Sequence, residues 1–231
     1  MAKSNIEFLA YEETPLGTLC LRRRKPLSLD GVTVTEVTLN HEFLMSSLYT
    51  DSEQALSQIA IEMHGGNNLR TMVAGLGLGY TAFEALKSEQ VDHVEVIELL
   101  PQVIDWMKNG LTPLAKQLYD DPRLVVTHAD AYAKLAAAPE TQYDLILIDV
   151  DHSPEDRLGA GESFTFYSSQ GLEAAKKHLR PGGVLGVWSY AESSPFADAL
   201  RDTFNDVRVE QITHVNEMIG EEHSDWLFFA R

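Results

Sequence analysis

The chain has 231 residues, which suffices for one large domain, or one domain with a small appendage, around a sizeable core. Its 35 acidic and 18 basic residues give a formal net charge of -17, which argues against binding nucleic acid through the phosphates. The single cysteine, Cys20, excludes an intrachain disulfide and a cysteine metal cluster and suits a reducing compartment. No stretch approaches the ~20 apolar residues of a membrane span, and the N-terminus lacks a signal-peptide pattern, so we expect a cytoplasmic protein without a membrane partner.

The N-terminal residues have the composition of strands. Thr18–Leu21 follows a Pro-Leu-Gly turn, and Asp30-Gly31 is a strong hairpin turn signal. We therefore predict a small β-hairpin region over residues 1–48, followed by a second domain over residues 49–231. The second domain begins with a helix, because Thr50 and Glu53 have capping-box spacing and apolar residues then recur at helical intervals.

A glycine-rich turn follows that helix. The apolar run Met72–Ala74 predicts a buried strand, glycines occupy positions 75, 77 and 79, and a helical pattern extends over Thr81–Lys87. Gly75, Gly77 and Gly79 would allow a ligand to lie against bare backbone at the helix N-terminus, as in a nucleotide site. Their G-x-G-x-G spacing differs from the G-x-G-x-x-G of dinucleotide sites, and a tight strand-to-helix turn without a ligand is the alternative.

Strand and helix patterns alternate through the rest of the chain. This alternation predicts an α/β fold with a mostly parallel sheet and helices on both faces. The last two strands have no helical pattern between them, so we expect an antiparallel hairpin at the end of the sheet. After the first, the predicted strands are 94–97, 124–126, 143–148, 184–188, 207–212 and 226–230.

Acidic residues follow several predicted strands. Ligands of open parallel sheets bind outside the carboxyl ends of the strands. Glu98 lies roughly twenty residues beyond the glycines, where an acid typically binds ribose hydroxyls, although it could instead stabilise the next helix. Asp130 could accept a hydrogen bond from an adenine amino group, cap the helix that follows, or do both.

The most apolar strand ends in I-D-V-D-H-S-P, residues 148–154. Two nearby carboxylates, Asp149 and Asp151, can bind an ammonium group or accept a proton from an attacking amine, and His152 could act as a second base. The alternative is a solvated turn. These ligand types also suit divalent ions, but no fourth ligand follows, so we predict no metal site.

Residues 69–189 resemble the S-adenosylmethionine-dependent methyltransferase fold. Nearly the whole chain resembles the spermidine synthase (polyamine aminopropyltransferase) family, and residues 44–47, 52–53 and 148–154 are similar to a bacterial spermidine-synthase-like subgroup. The matching segments are A-G-L-G-L-G (74–79), V-I-E-L-L-P (96–101), D-P-R-L-V-V-T-H-A-D-A (121–131), Y-D-L-I-L-I-D-V-D (143–151) and L-R-P-G-G-V-L (179–185). The resemblance implies a seven-stranded Rossmann-like methyltransferase sheet.

The resemblance also implies a role for each matching residue. The three glycines would line the adenosine and methionine portion of the cofactor, and Glu98 would bind its ribose. Asp130 and Ala131 would contact the adenine, and Asp149 would orient or deprotonate the attacking amine.

The chain departs from the family pattern at three places. Leu78 occupies the position of an acid that contacts the amino end of the cofactor, D-S-S-D-P becomes D-V-D-H-S-P, and a Tyr-Gln-Glu motif aligns with residues 56–58. We therefore expect an S-adenosylmethionine-binding enzyme that transfers a methyl group to a small, amine-bearing and possibly cationic acceptor, with a homodimer left open. Aminopropyl transfer from decarboxylated S-adenosylmethionine is the alternative. Further alternatives are a non-catalytic cofactor-binding protein and an NAD-dependent oxidoreductase, which the glycine spacing disfavours.

Overall fold

The computed structural model describes residues 5–150, 152–156, 166–216 and 220–231. Its N-terminal part is a four-stranded antiparallel sheet in chain order, which extends the predicted hairpin by a second pair of strands. These strands are β1 (Ile6–Thr14), β2 (Gly17–Arg24), β3 (Val34–Leu39) and β4 (Glu42–Ser46). The first helix begins at Asp51, and the division into two domains near residue 48 stays a prediction.

The rest of the described chain forms a seven-stranded sheet with helices between its strands. Its elements are α1 (Asp51–His64), β5 (Leu69–Ala74), α2 (Tyr80–Lys87), β6 (Val91–Glu98), α3 (Pro101–Lys108), α4 (Ala115–Tyr119), β7 (Leu124–His128), α5 (Ala131–Ala136), β8 (Tyr143–Ile148), α6 (Ser169–Lys176), β9 (Leu179–Ser189), α7 (Ser194–Thr203), β10 (Val207–Asn216) and β11 (Glu221–Ala230). Of these, α4 had no counterpart in the sequence prediction.

The strand order of the large sheet is β10-β11-β9-β8-β5-β6-β7. The five strands from β9 to β7 are parallel, whereas β11 runs antiparallel to both β9 and β10. The predicted α/β class, the seven strands and the terminal antiparallel hairpin are therefore confirmed.

Apolar side chains of the sheet pack into a core on each face. All six residues of β8 are buried, with Leu145 and Leu147 in one core and Ile146 and Ile148 in the other. This alternation is what a strand covered by helices on both faces requires. Within the described ranges, no helix is long and apolar enough to cross a membrane.

The predicted capping box at the start of α1 is wrong. The side chain of Thr50 makes no cap hydrogen bond; its Oγ1 instead accepts from Gln54 Nε2 at 2.8 Å. Glu53 is turned into a cavity beside the large sheet. The helix does begin at this point, as the spacing of Thr50 and Glu53 predicted. The Glu53 side chain, however, lines the cavity and does not cap the helix.

Candidate active site

A cavity of about 400 Å³ lies between the N-terminal sheet and the C-terminal ends of the parallel strands. One wall comes from β4 and the loop after it, and the opposite wall from the glycine turn, the end of β8 and the hairpin β10–β11. The cavity combines bare backbone, aromatic rings and carboxylates. Its residues are Phe43, Leu44, Met45, Ser46, Tyr49, Glu53, Leu76, Gly77, Leu78, Gly79, Tyr80, Asp149, Val150, His152, Trp188, Tyr190, His214 and Asp225.

The glycine turn contributes two of its three predicted residues to the cavity, Gly77 and Gly79. Gly77 has a φ of +51°, and a Cβ built there would lie 3.2 Å from Met45 Sδ. Gly75 does not line the cavity; a Cβ on it would lie 2.1 Å from the carbonyl oxygen of Asp149, so glycine is required there for β5 and β8 to approach. Two of these glycines therefore present backbone to the cavity, and the missing side chain of Gly75 leaves room for the backbone of Asp149.

Glu98 ends β6 and is buried beneath the glycine turn. Its Oε2 accepts from Leu76 N at 2.8 Å and its Oε1 accepts from Leu100 N at 2.7 Å. Burial raises the pKa of Glu98, and these backbone N–H groups act in the opposite direction. Glu98 thus stabilises the glycine turn through hydrogen bonds to its backbone. The backbone N–H groups of Leu76, Gly77, Leu99 and Leu100 all lower its pKa, and its ribose role stays a prediction.

Asp130 and Ala131 lie at the end of β7, outside the cavity walls. Asp130 is the N-cap of α5, and its Oδ1 accepts from Tyr132 N at 2.8 Å and from Ala133 N at 3.1 Å. The capping alternative is thus realised. Contact of Asp130 and the buried Ala131 with adenine stays a prediction.

Asp149 is the acid at the end of β8 and lines the cavity. Its Oδ2 accepts from Thr81 Oγ1 at 2.6 Å, so the first turn of α2 orients it. Burial raises its pKa from 3.8 to about 6, the Thr81 hydrogen bond opposes this shift, and the charge of Asp225 adds to it. A carboxylate with such a pKa can accept a proton near neutral pH.

The structure describes only one of the other two predicted catalytic residues, His152 and Asp151. His152 lines the cavity, and its ring lies 6.2 Å from that of Tyr190 in an edge-on arrangement. Asp151 lies outside the described residues. The predicted pairing of Asp149 and Asp151 therefore stays a prediction.

Sequence reasoning missed two acids of the cavity, Glu53 and Asp225. Burial raises the pKa of Glu53 to about 8, and the charge of Asp149 contributes to that shift. Burial also raises the pKa of Asp225. The residues that align with the family's Tyr-Gln-Glu do not face the cavity: Leu56 and Ser57 are fully buried, and Gln58 donates to Glu84. The same helix, α1, nevertheless places Glu53 in the cavity wall, about one turn before these residues.

A signal for Asp225 was present in the predicted topology. An antiparallel strand begins at the edge where parallel strands end, and Asp225 immediately precedes the paired residues Trp226 and Ser189 of β11 and β9. No comparable signal existed for Glu53, because its spacing from Thr50 is that of a capping residue.

Comparison with protein families matches residues 23–200 to the model described as spermine/spermidine synthase domain. A polyamine aminopropyltransferase of Prochlorococcus marinus (strain MIT 9313) is 30% identical over 151 residues, which are 65% of this chain and 48% of that protein. Putrescine N-methyltransferase 4 of Nicotiana tabacum is 31% identical over 127 residues, 55% of this chain and 31% of that protein. The chain thus spans 48% and 31% of the lengths of these two curated relatives.

Solved structures show the same fold. A spermidine synthase in complex with the transition state analogue AdoDATO superposes with a TM-score of 0.74 and 18% identity over 96% of this chain and 73% of that one. Spermidine synthase from Thermotoga maritima gives a TM-score of 0.68, also at 18% identity, over 96% of this chain and 71% of that one.

Proposed function

Because the chain belongs to the spermine/spermidine synthase family, we propose that it transfers the aminopropyl group of decarboxylated S-adenosylmethionine to a small amine. The observation that carries this proposal is the set of acidic side chains that line the cavity. Glu53, Asp149 and Asp225 all line it, whereas no lysine or arginine does so among the residues that the structure describes. Such a cavity suits a cationic donor and a cationic acceptor.

The same observation argues against the methyl transfer that the sequence favoured. That expectation rested on Leu78 and on backbone N–H groups of the turn as partners for the carboxylate of S-adenosylmethionine. Two of those N–H groups already have acceptors, because Leu76 N donates to Glu98 and Gly75 N donates to Ile97 O. A ligand carboxylate would also face the carboxyl groups of Asp149 and Asp225, while the decarboxylated form avoids this repulsion.

The described residues fit a cofactor of this kind at the glycine turn. Gly77 and Gly79 present backbone to the cavity, and a side chain at position 77 would meet Met45. Gly77, Gly79 and, as predictions, Glu98 and Asp130 would hold the nucleoside. When bound, the donor supplies a carbon attached to a positively charged sulfur, which leaves as a neutral thioether.

The residues of the chain then have to position the acceptor and remove one proton. Asp149, oriented by Thr81, binds the acceptor ammonium and accepts its proton. The freed nitrogen lone pair forms the new C–N bond, the C–S bond breaks, and its electron pair goes to sulfur. The products are methylthioadenosine and an aminopropylated amine, so the charges balance.

Methyl transfer to an amine is the second candidate. Leu78, buried in the cavity wall, and the similarity to putrescine N-methyltransferases favour it. A non-catalytic binding protein is the third candidate. The polyamine aminopropyltransferases among the relatives support the first.

Product analysis distinguishes these candidates. The purified chain is incubated with 1,4-diaminobutane and either donor, and the products are identified by mass spectrometry. We expect an aminopropylated product with the decarboxylated donor, its loss in Asp149→Asn, and its retention in Asp198→Asn, which removes an exposed acid of α7. A methylated product alone would establish the second candidate, and donor binding without any product would establish the third.

A further inference from the structure

The hydroxyl of Ser52 joins two acids of the cavity. Ser52 is buried in the first turn of α1, and its Oγ lies 2.7 Å from Asp225 Oδ2 and 3.1 Å from Glu53 Oε2. The same oxygen accepts a hydrogen bond from Trp188 Nε1 at 3.0 Å. Three elements, α1, β9 and β11, therefore meet at one hydroxyl group.

The number of protons in this network is limited. A serine hydroxyl has one proton, so it can donate fully to one of the two carboxylates, and the shorter distance assigns it to Asp225. The indole N–H of Trp188 occupies one lone pair of the Ser52 oxygen. The remaining lone pair can accept from Glu53 only if the Glu53 carboxyl group carries a proton. The geometry thus accommodates one additional proton on this pair of acids.

Asp149 is bound by a different hydroxyl group, although its charge acts on Glu53 and the charge of Asp225 acts on it. Its partner is the hydroxyl of Thr81 on α2, whereas Glu53 and Asp225 share Ser52. The cavity therefore has two acidic positions, one beside the glycine turn and one between α1 and the C-terminal hairpin.

We propose that Glu53 and Asp225, bridged by Ser52, form a second cation subsite that exchanges its proton for the far ammonium group of a diamine acceptor. This inference rests on the proposed function, since Asp149 would bind the reacting end of the same acceptor. When the far ammonium enters, the proton on the pair is released to solvent and two carboxylates remain to bind the cation. The subsite then selects acceptors with two cationic ends.

The charged and titratable groups around the pair agree with proton exchange near neutral pH. Glu53 is faced by Asp149 of β8, Tyr80 of α2 and Asp225, and its pKa is raised to about 8, mainly by burial. Burial raises the pKa of Asp225, and the Ser52 hydroxyl, His214 of β10 and His223 of β11 act against this shift. Because the shorter Ser52 contact goes to Asp225, the additional proton of the pair is assigned to Glu53.

Calorimetric titration in two buffers with different ionisation enthalpies measures the exchange directly. The probes are 1,4-diaminobutane and 1-aminobutane, each added near neutral pH in the presence of methylthioadenosine. For the wild-type chain we expect release of up to one proton per diamine and at least tenfold weaker binding of the monoamine. Glu53→Gln and Ser52→Ala should lose the proton release and most of the preference. Asp51→Asn, which removes an exposed acid from the same helix turn, should keep both.

Thermal unfolding will show whether each variant folds. If a variant does not fold, the titration of the wild-type chain with the two amines is sufficient to test the subsite. Diamine binding without proton release, or equal affinity for both amines, would overturn the subsite while turnover remained intact. Failure of both amines to bind, together with the absence of product, would instead overturn the proposed function.

Discussion

Thr81 donates a 2.6 Å hydrogen bond from its hydroxyl to Asp149 Oδ2, which ties the helix after the glycine turn to the acid at the end of β8. The turn and the acid are thereby parts of one unit. Ser57 strengthens this unit, because its Oγ donates to the carbonyl oxygen of Thr81 at 2.7 Å. The position of Asp149 thus depends on α1 and α2 as well as on its own strand.

Replacing Thr81 with valine should move the pH dependence of turnover to higher pH. The hydrogen bond lowers the pKa of Asp149, so its loss raises that pKa above about 6. The acidic limb of the pH–rate profile should move to higher pH, so the rate below neutral pH should fall. Thr71→Val is the matched control, because Thr71 Oγ1 is buried and has no partner in the described structure. An unchanged limb in Thr81→Val would show that Asp149 does not govern it.

Substituting Gly77 with valine should abolish binding of the nucleoside product methylthioadenosine while the fold persists. The left-handed backbone costs a side chain about 1–2 kcal/mol, and the added atoms would occupy the cavity wall against Met45. Gly110→Val is the control, since Gly110 also has a positive φ of +74° but no atom within 4 Å of its built Cβ. We expect similar losses of stability and loss of binding only at position 77. Equal affinities of the two variants for methylthioadenosine, measured by titration, would show that Gly77 is not part of the binding site.

Replacing Glu98 with alanine should weaken both the fold and ligand binding. The N–H groups of Leu76 and Leu100 lose their acceptor, which costs roughly 1–3 kcal/mol for a buried unsatisfied group. If Glu98 also binds the ribose hydroxyls, affinity should fall by about 1.5–3 kcal/mol, the scale for hydrogen bonds to a charged group. Chemical denaturation and titration measure the two losses, with the exposed Glu89→Ala as control. A loss of stability with full affinity would assign Glu98 to the turn alone.

The free energy of unfolding should decrease as the pH rises from about 4 to about 8. Glu53 and Asp149 have pKa values of about 8 and about 6 in the folded chain, against ordinary values of 4.5 and 3.8. Between the unfolded and folded values the native state binds more protons than the unfolded state, so stability is greatest at the acidic end of the window and is lost toward the folded pKa. Denaturation across this range should show a smaller decrease for Glu53→Gln. An equal slope would mean that Glu53 is ionised in the folded chain throughout.

Local patterns were sufficient to predict most of the fold. The strand of Leu69–Ala74, the glycines and the helix after them follow from apolar runs and from residues that favour turns, all read over a few positions. The short helix of Ala115–Tyr119 was not predicted, because five residues contain too little periodicity. Among the predicted site residues, Gly77, Gly79, Asp149 and His152 line the cavity. Gly75, Glu98, Asp130 and Ala131 do not line it; they lie at or within three residues of the ends of β5, β6 and β7.

The sequence by itself determined the order of strands and helices, the glycine turn and the acid that follows β8, because each depends on residues close together in the chain. Only the tertiary structure decided that Glu53 and Asp225 join Asp149 in one cavity. Ser52 and Asp225, which lie 173 positions apart, meet because β11 packs between β9 and β10 and α1 lies against the same strands. The raised pKa values of these acids arise from burial and mutual repulsion, which depend on distances in space and not on distances along the chain.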